Sequence, residues 1–398
     1  VLLSSASAFG HPHAPEDYRV TQVASTAPDP ELLRTSIEIQ QGQAALNKFH
    51  VLRVRRSTPL HPSNPPLLLL SPFGFPAEFW ELTKLHTYRD AFAPRLALAG
   101  YDVWLVDSRL ANVAPGDCES GAVDCSAMAD WGIDTAIDDA MFVRDLMRLA
   151  HPAERPVLGG FSGGSSEAIA AVNREPHAFR ALFIWEGAMY TTDPAIRARN
   201  ANFCAQDEAR LAAGTFFDAS VQGFKTLFNL ASAAPGDPSP IPVFPPGTTN
   251  LQALLFALSV PDPTNPLNFT DTFIRLVGDP ATSTLTYADL DRVLQLGPLV
   301  GNYAPVHFIR DGHCAIGGTD THFTSNLSAF NGDVLVYAEG HGFGTTMIDT
   351  ANLMTHAQVT LDYHPEFGES DPYFNVDWVG VALDPLVDWL QRGPSRHP

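Results

Sequence analysis

The sequence predicts an α/β fold: a mostly parallel central sheet with helices on both faces and a helical insertion late in the chain. Three observations predict it. The runs Leu67–Leu70 and Val103–Val106 are apolar at every position, as a strand buried on both faces requires. Such runs alternate with helical periodicity as far as residue 187, the rhythm of strand–helix–strand units. The rhythm then breaks over 188–330 and returns with DVLVYAEG and AQVTLDYH. These shifts divide the chain into a core of 1–187 with 331–398 and a helical cap or lid of 188–330.

Residues 1–45 read as polar and loop-rich, with an early HPHAP whose His11 and His13 read as solvated. Val51–Arg55 alternates as a strand, and HPSNPP makes a stiff turn before LLLLSPFGFP. Residues 78–99 carry helical spacing and stop at Gly100, a C-terminal helix signal. YDVWLVDSR is the next strand. DTAIDDAMFVRDLMRLA (134–150) opens with acids, which suit a helix N-terminus, and sets Ile137, Met141, Leu146 and Leu149 near one face. The strand PVLGG, the turn FSGGS, the small-residue helix SSEAIAAVNRE and the apolar run ALFIWEG follow. Within the insertion, APGDPSPIPVFPPG reads as punctuation in a long loop. ALDPLVDWLQR closes the chain as a helix.

The 398 residues carry a net charge of −20, which argues against a nucleic-acid partner, because phosphate binding needs a basic face. No apolar run approaches the roughly 18 residues of a membrane span. Of the four cysteines, Cys118 and Cys125 lie seven apart in GDCESGAVDC and suit a short disulfide loop; Cys204 with Cys314 follows by elimination, although four cysteines allow three connectivities. Neither CxxC nor HxxxH occurs, so no metal site is expected. The even cysteine count and the opening VLLSSASAFG, which reads like the end of a signal peptide, lead us to expect a secreted or periplasmic protein.

Residues 160–164, Gly-Phe-Ser-Gly-Gly, match G-x-S-x-G with Ser162 at the centre. The pentapeptide alone is weak. A short strand before it and an Ala-rich helix after it supply the context of a nucleophile elbow, in which a tight turn presents a strained serine. Glycines at 160 and 164 leave room where a side chain would collide, and the helix N-terminus favours developing negative charge.

These residues resemble the α/β-hydrolase superfamily, most closely its secreted lipase and esterase branches such as the acid lipases. LALAGYDVWLVDSR is similar to that family's "GYDVWLGNSRG" strand, and WGIDTAIDDAMFVRDLM to its helix before the elbow. FGESDPYFNVDW and DPLVDWL resemble its "GHxDF" loop and last helix. The similarity covers roughly 65–187 and 332–392. It implies an oxyanion hole of two backbone N–H groups, Gly163 and the residue at Phe73 in Ser71-Pro72-Phe73, with Gly74 as fallback. PFGFP also reads simply as a turn in a pocket wall.

The family expects an acid after the next-to-last strand and a histidine after the last. Here the final loop carries Glu369 at the histidine position, and the earlier loop, EGHGFG, carries His341 at or beside the acid position. The resemblance therefore leads to a triad of Ser162, His341 and Glu369 with base and acid drawn from exchanged loops, since a triad is defined by geometry and role. His364, His313, Glu339, Asp349 and Asp311 are alternative partners.

The expectation is a secreted serine hydrolase cleaving a carboxylic ester through an acyl-enzyme on Ser162, with no cofactor. PFGFPAEFW and TFFDASVQGFKTLFNL suggest an apolar pocket and a small-molecule, lipid-like or polymeric ester. Two rivals stand beside it: a non-catalytic protein on the same fold, motivated by the missing histidine of the last loop, and a lyase or transferase using Glu369. Product analysis separates the last, because hydrolysis incorporates water.

Overall fold

A computed structural model describes residues 18–58, 64–83, 87–260, 272–279 and 284–392. His11, His13 and the opening segment read as a signal-peptide end lie outside the described residues.

The strands are β1 Tyr18–Asp29, β2 Leu32–Gln41, β3 Lys48–Arg56, β4 Leu67–Leu70, β5 Val103–Val106, β6 Val157–Phe161, β7 Ala181–Trp185, β8 Phe217–Asp218, β9 Ala304–Pro305, β10 Asp333–Glu339 and β11 Gln358–His364. Nine of them form one sheet in the order β1-β2-β3-β5-β4-β6-β7-β10-β11; β8 and β9 make a separate short ribbon. β1–β2–β3 is an antiparallel meander joined antiparallel to β5. From β5 to β11 every pair is parallel.

The helices are α1 Phe92–Leu98, α2 Asp117–Ser120, α3 Ile133–Ala150, α4 Gly163–Arg174, α5 Pro194–Ala212, α6 Val221–Ala233, α7 Asn250–Ser259, α8 Leu290–Leu294, α9 Val306–Gly317, α10 Gly344–Ala351, α11 Asp371–Phe374 and α12 Asp384–Arg392. The all-apolar strands split their side chains between two cores, as a period of two dictates. Leu67 and Leu69 join one cluster with α1, α12, α6, α7 and α8. Leu68 and Leu70 join another with α3, α4 and α10. The segment 188–330 contributes to both: Leu227, Leu254 and Val293 pack in the first, and Ala315, Phe323 and Phe330 in the second. Both expected disulfides are present, Cys118–Cys125 and Cys204–Cys314, the second tying α5 to α9.

Three local expectations are corrected. Within the stretch read as loop-rich, residues 18–41 form the β1–β2 hairpin, whose outer strand is exposed along nearly its whole length and so shows no apolar alternation. Residues 78–99 are not one helix. A 3₁₀ turn at Ala77–Glu81 ends where Leu82 turns extended (ψ 135°), and Tyr88–Asp90 and α1 are separate pieces; Gly100 does end the last of them, at φ +97°. In α3 the buried face runs through Ile133, Ile137, Ala140, Met141 and Met147, whereas Leu149 is exposed.

Candidate active site

β6 ends at Phe161, and the chain turns at Ser162 into α4. Ser162 holds φ 53°, ψ −123°, a conformation costly for any residue with a Cβ. The glycines make the turn possible. A Cβ at Gly160 would sit 2.2 Å from the Gly164 carbonyl, and one at Gly164 would lie 2.5 Å from the carbonyl oxygens of Leu70 and Ser71. Ser162 N–H donates to the Trp185 carbonyl (2.9 Å), and Ser165 Oγ, lying between the Gly160 and Trp185 carbonyls, accepts from Trp185 N–H. The elbow is thus fastened to β7, and half-buried Ser162 stands at the carboxyl end of the parallel strands, where open α/β sheets bind ligands.

The loop after β4 lies against the elbow. A Cβ on Gly163 would come within 2.6 Å of Phe73 Cβ and 3.0 Å of Phe73 N, so the backbones of the two predicted oxyanion donors are adjacent. The Phe73 ring stacks on Phe308 (4.6 Å), Phe75 N–H closes a turn on the Pro72 carbonyl, and the Gly74 carbonyl accepts Gly301 N–H. A cavity of about 40 Å³ adjoins this loop, lined also by Phe308, Arg109, Asp139 and Glu167. That is room for one or two waters. Burial pushes the Glu167 carboxyl up to about 8.

The structure brings the His341 and Glu369 loops together. His341 N–H donates to the Phe367 carbonyl (3.0 Å), Thr272 N–H donates to the His341 carbonyl (2.8 Å), and Glu369 N–H donates to the Thr272 carbonyl (3.0 Å). A Cβ on Gly342 would stand 3.1 Å from Glu369 Cα. Glu369 is buried and His341 half-buried.

Sequence reasoning missed Glu186. It is the first residue past β7, fully buried, at φ 50°. Oε1 accepts Glu339 N–H (2.8 Å) and Oε2 accepts Phe343 N–H (2.6 Å), so one carboxylate spans the turn that carries His341. Glu339 itself, the last residue of β10, takes Trp185 Nε1–H on Oε1 (3.0 Å), and Oε2 meets no donor. Burial favours the protonated form of both acids. The Glu339 carboxyl is raised well above the usual carboxylate range by burial and by the Glu186 charge; burial pushes Glu186 up to about 7 while its two backbone donors favour the anion. Glu369 adds a further negative charge against Glu339. The only sequence signal was the acid within the apolar run ALFIWEG, to which no role was given.

The alternatives have other work. His313 Nδ1 pairs with Asp207 (2.7 Å) inside the α5–α9 contact. Asp349 accepts from Thr191 and Thr192, and Asp311 accepts Ile133 N–H at the start of α3. His364 pairs with Asp362 and stacks on Tyr337 and Phe367. Among the described residues Cys204, Glu208 and Cys314 alone have metal-like spacing, and their sulfurs are spent in the disulfide.

No family model and no curated protein matches this sequence. Solved structures do resemble it. A candidate lipase from Sulfolobus solfataricus superposes with TM-score 0.62 at 16% identity, covering 95% of this chain and 99% of that one. An esterase from Thermogutta terrifontis gives 0.46 at 11%, covering 94% and 100%, a likeness too weak to argue from. The first superposition, with the strand order and the elbow, establishes that the chain has the α/β-hydrolase fold.

Proposed function

We propose that the chain is a serine hydrolase that cleaves a carboxylic ester through an acyl-enzyme on Ser162. The observation that carries this reading is the strained Ser162 at the tip of β6, with the backbones of Gly163 and Phe73 side by side next to it. A binding protein gains nothing from a costly backbone at a serine.

In the first step Ser162 Oγ attacks the ester carbonyl and its proton passes to His341. The N–H groups of Phe73 and Gly163 receive the negative charge that forms on the carbonyl oxygen. Collapse breaks the ester C–O bond, and the histidinium returns the proton to the departing alkoxide. Water then attacks the acyl-enzyme by the same route and releases the acid. Glu369 orients the imidazole from behind, and Glu186 holds the turn that carries it. An apolar acyl or alcohol group suits the phenylalanine-rich loop after β4. The two disulfides favour an oxidising compartment, outside the cytosol.

The test is hydrolysis of short-chain p-nitrophenyl esters in ¹⁸O-labelled water. Label in the released acid, lost in Ser162→Ala, is the expected result. Turnover that survives Ser162→Ala, or product without label, overturns the reading. Glu369→Gln outranking His341→Ala in the loss of kcat would move the base from the imidazole to the carboxylate.

A further inference from the structure

Arg292 lies in α8, at the contact between the late helical segment and α11. Its side chain is 0% exposed, and none of Nε, Nη1 and Nη2 has a hydrogen-bond acceptor among the described residues. Other buried arginines are satisfied: Arg109 Nε meets Asp139 at 2.7 Å and its Nη2 meets Gln41 at 2.6 Å, and Arg144 Nη1 meets Glu175 at 2.6 Å. A buried guanidinium that lacks partners is among the costlier arrangements in a protein interior, and it calls for a missing partner.

The surroundings say what kind. Aromatic rings cover the guanidinium, with Cζ 5.2 Å from the Tyr373 ring, 5.7 Å from Phe374 and 4.9 Å from Trp378. The rings attract the cation but offer no lone pair to N–H groups directed out of the guanidinium edge. Asp289 is close enough to act electrostatically, yet its Oδ1 is engaged by the N–H groups of Asp291 and Arg292, and it makes no ion pair with the guanidinium. The neighbouring segment also has buried polar atoms without partners. Trp80 Nε1 and Thr83 Oγ1 are also buried without partners; Trp80 packs edge-on to Tyr373, and the Thr83 carbonyl is held by Gln295 of the same helical stretch as Arg292. What this region lacks is an acceptor carrying negative charge, and full enclosure limits its size.

We propose that Arg292 is the recognition group of a buried site for a small monovalent anion, of halide or simple carboxylate size, seated at the guanidinium edge under Tyr373, Phe374 and Trp378. The anion would complete the contact between α8 and α11, the helix that begins two residues past Glu369.

The test uses the full disulfide-intact protein in sodium gluconate at fixed ionic strength, with chloride and formate titrated separately and Tm as readout. A saturable rise of about 3 °C at a hundredfold excess over Kd is expected for at least one of them, and its loss in Arg292→Met. A response to chloride alone assigns a halide site, and a response to formate alone a carboxylate site. A flat Tm with both anions, or an Arg292→Met variant that responds like the parent, overturns the proposal. Should Arg292→Met fail to fold, the ³⁵Cl line width decides on the parent protein. Excess broadening that formate removes supports the site; no broadening together with a Tm flat to both anions, or broadening that formate leaves unchanged while Tm stays flat, overturns it.

Discussion

Ser162, Gly163 and Glu339 carry the sharpest predictions. Gly163→Ala would set a methyl 2.6 Å from Phe73 Cβ and push the two N–H donors apart. Its kcat is expected to fall about 10²–10³-fold, the typical loss of one oxyanion donor, with the fold retained by circular dichroism. Unchanged kcat would remove Phe73 and Gly163 from the oxyanion role. The Glu186–Glu339 pair makes a stability prediction. Both pKa values are raised on folding, so the native state holds protons that the unfolded chain has released above about pH 4.3. The stabilising share is complete below that pH and is lost as pH rises through about 7. Urea midpoints should therefore fall between pH 5.5 and 8, and Glu339→Gln, which removes the like charge, should flatten the fall. Asp371, also pushed up to about 7 by burial, will keep part of the slope. An equal fall in the variant contradicts the coupling of the two acids. At this scale the sequence was legible where chemistry is local: G-x-S-x-G announces its own geometry, and Gly163 with Phe73 followed from it. Glu186 was illegible, because its partners Glu339 and Phe343 lie more than 150 residues away.

Among the elements, those buried on both faces were read correctly. LLLL and VWLV were read as strands buried on both faces, and the apolar run ALFIW also forms one. The β1–β2 hairpin escaped because an edge strand exposed to solvent has no core to impose alternation on its sequence. The broken helix of 78–99 escaped for a related reason: apolar spacing reports which residues are buried, and 3₁₀ turns bury Phe79 and Trp80 as well as a helix would. The two disulfides differ in what they should contribute. Cys204–Cys314 closes a loop with 110 residues of separation and Cys118–Cys125 one with seven. Chain entropy then assigns about 4.8 kcal/mol to the first and about 2.5 kcal/mol to the second. Paired Cys→Ala variants compared by urea unfolding should keep that order. A reversed order would show that the α5–α9 contact holds together without its covalent tie.

For the whole molecule, the sheet brings the ends of β6, β7 and β10 into line. Phe161 and Tyr337 both register with Trp185, which sets Ser162, Glu186 and Glu339 along one edge. That edge is where the fold and the proposed chemistry meet, and the order of strands could be inferred from the sequence only through the resemblance to a family of known topology. The central claim is that Ser162 is an activated nucleophile. It is tested most directly by incubating the folded protein with a fluorophosphonate and weighing the intact chain. We expect one adduct per chain, formed as the Ser162 oxygen displaces fluoride from phosphorus, and none in Ser162→Ala. An unlabelled parent protein, or equal labelling of Ser162→Ala, would contradict it.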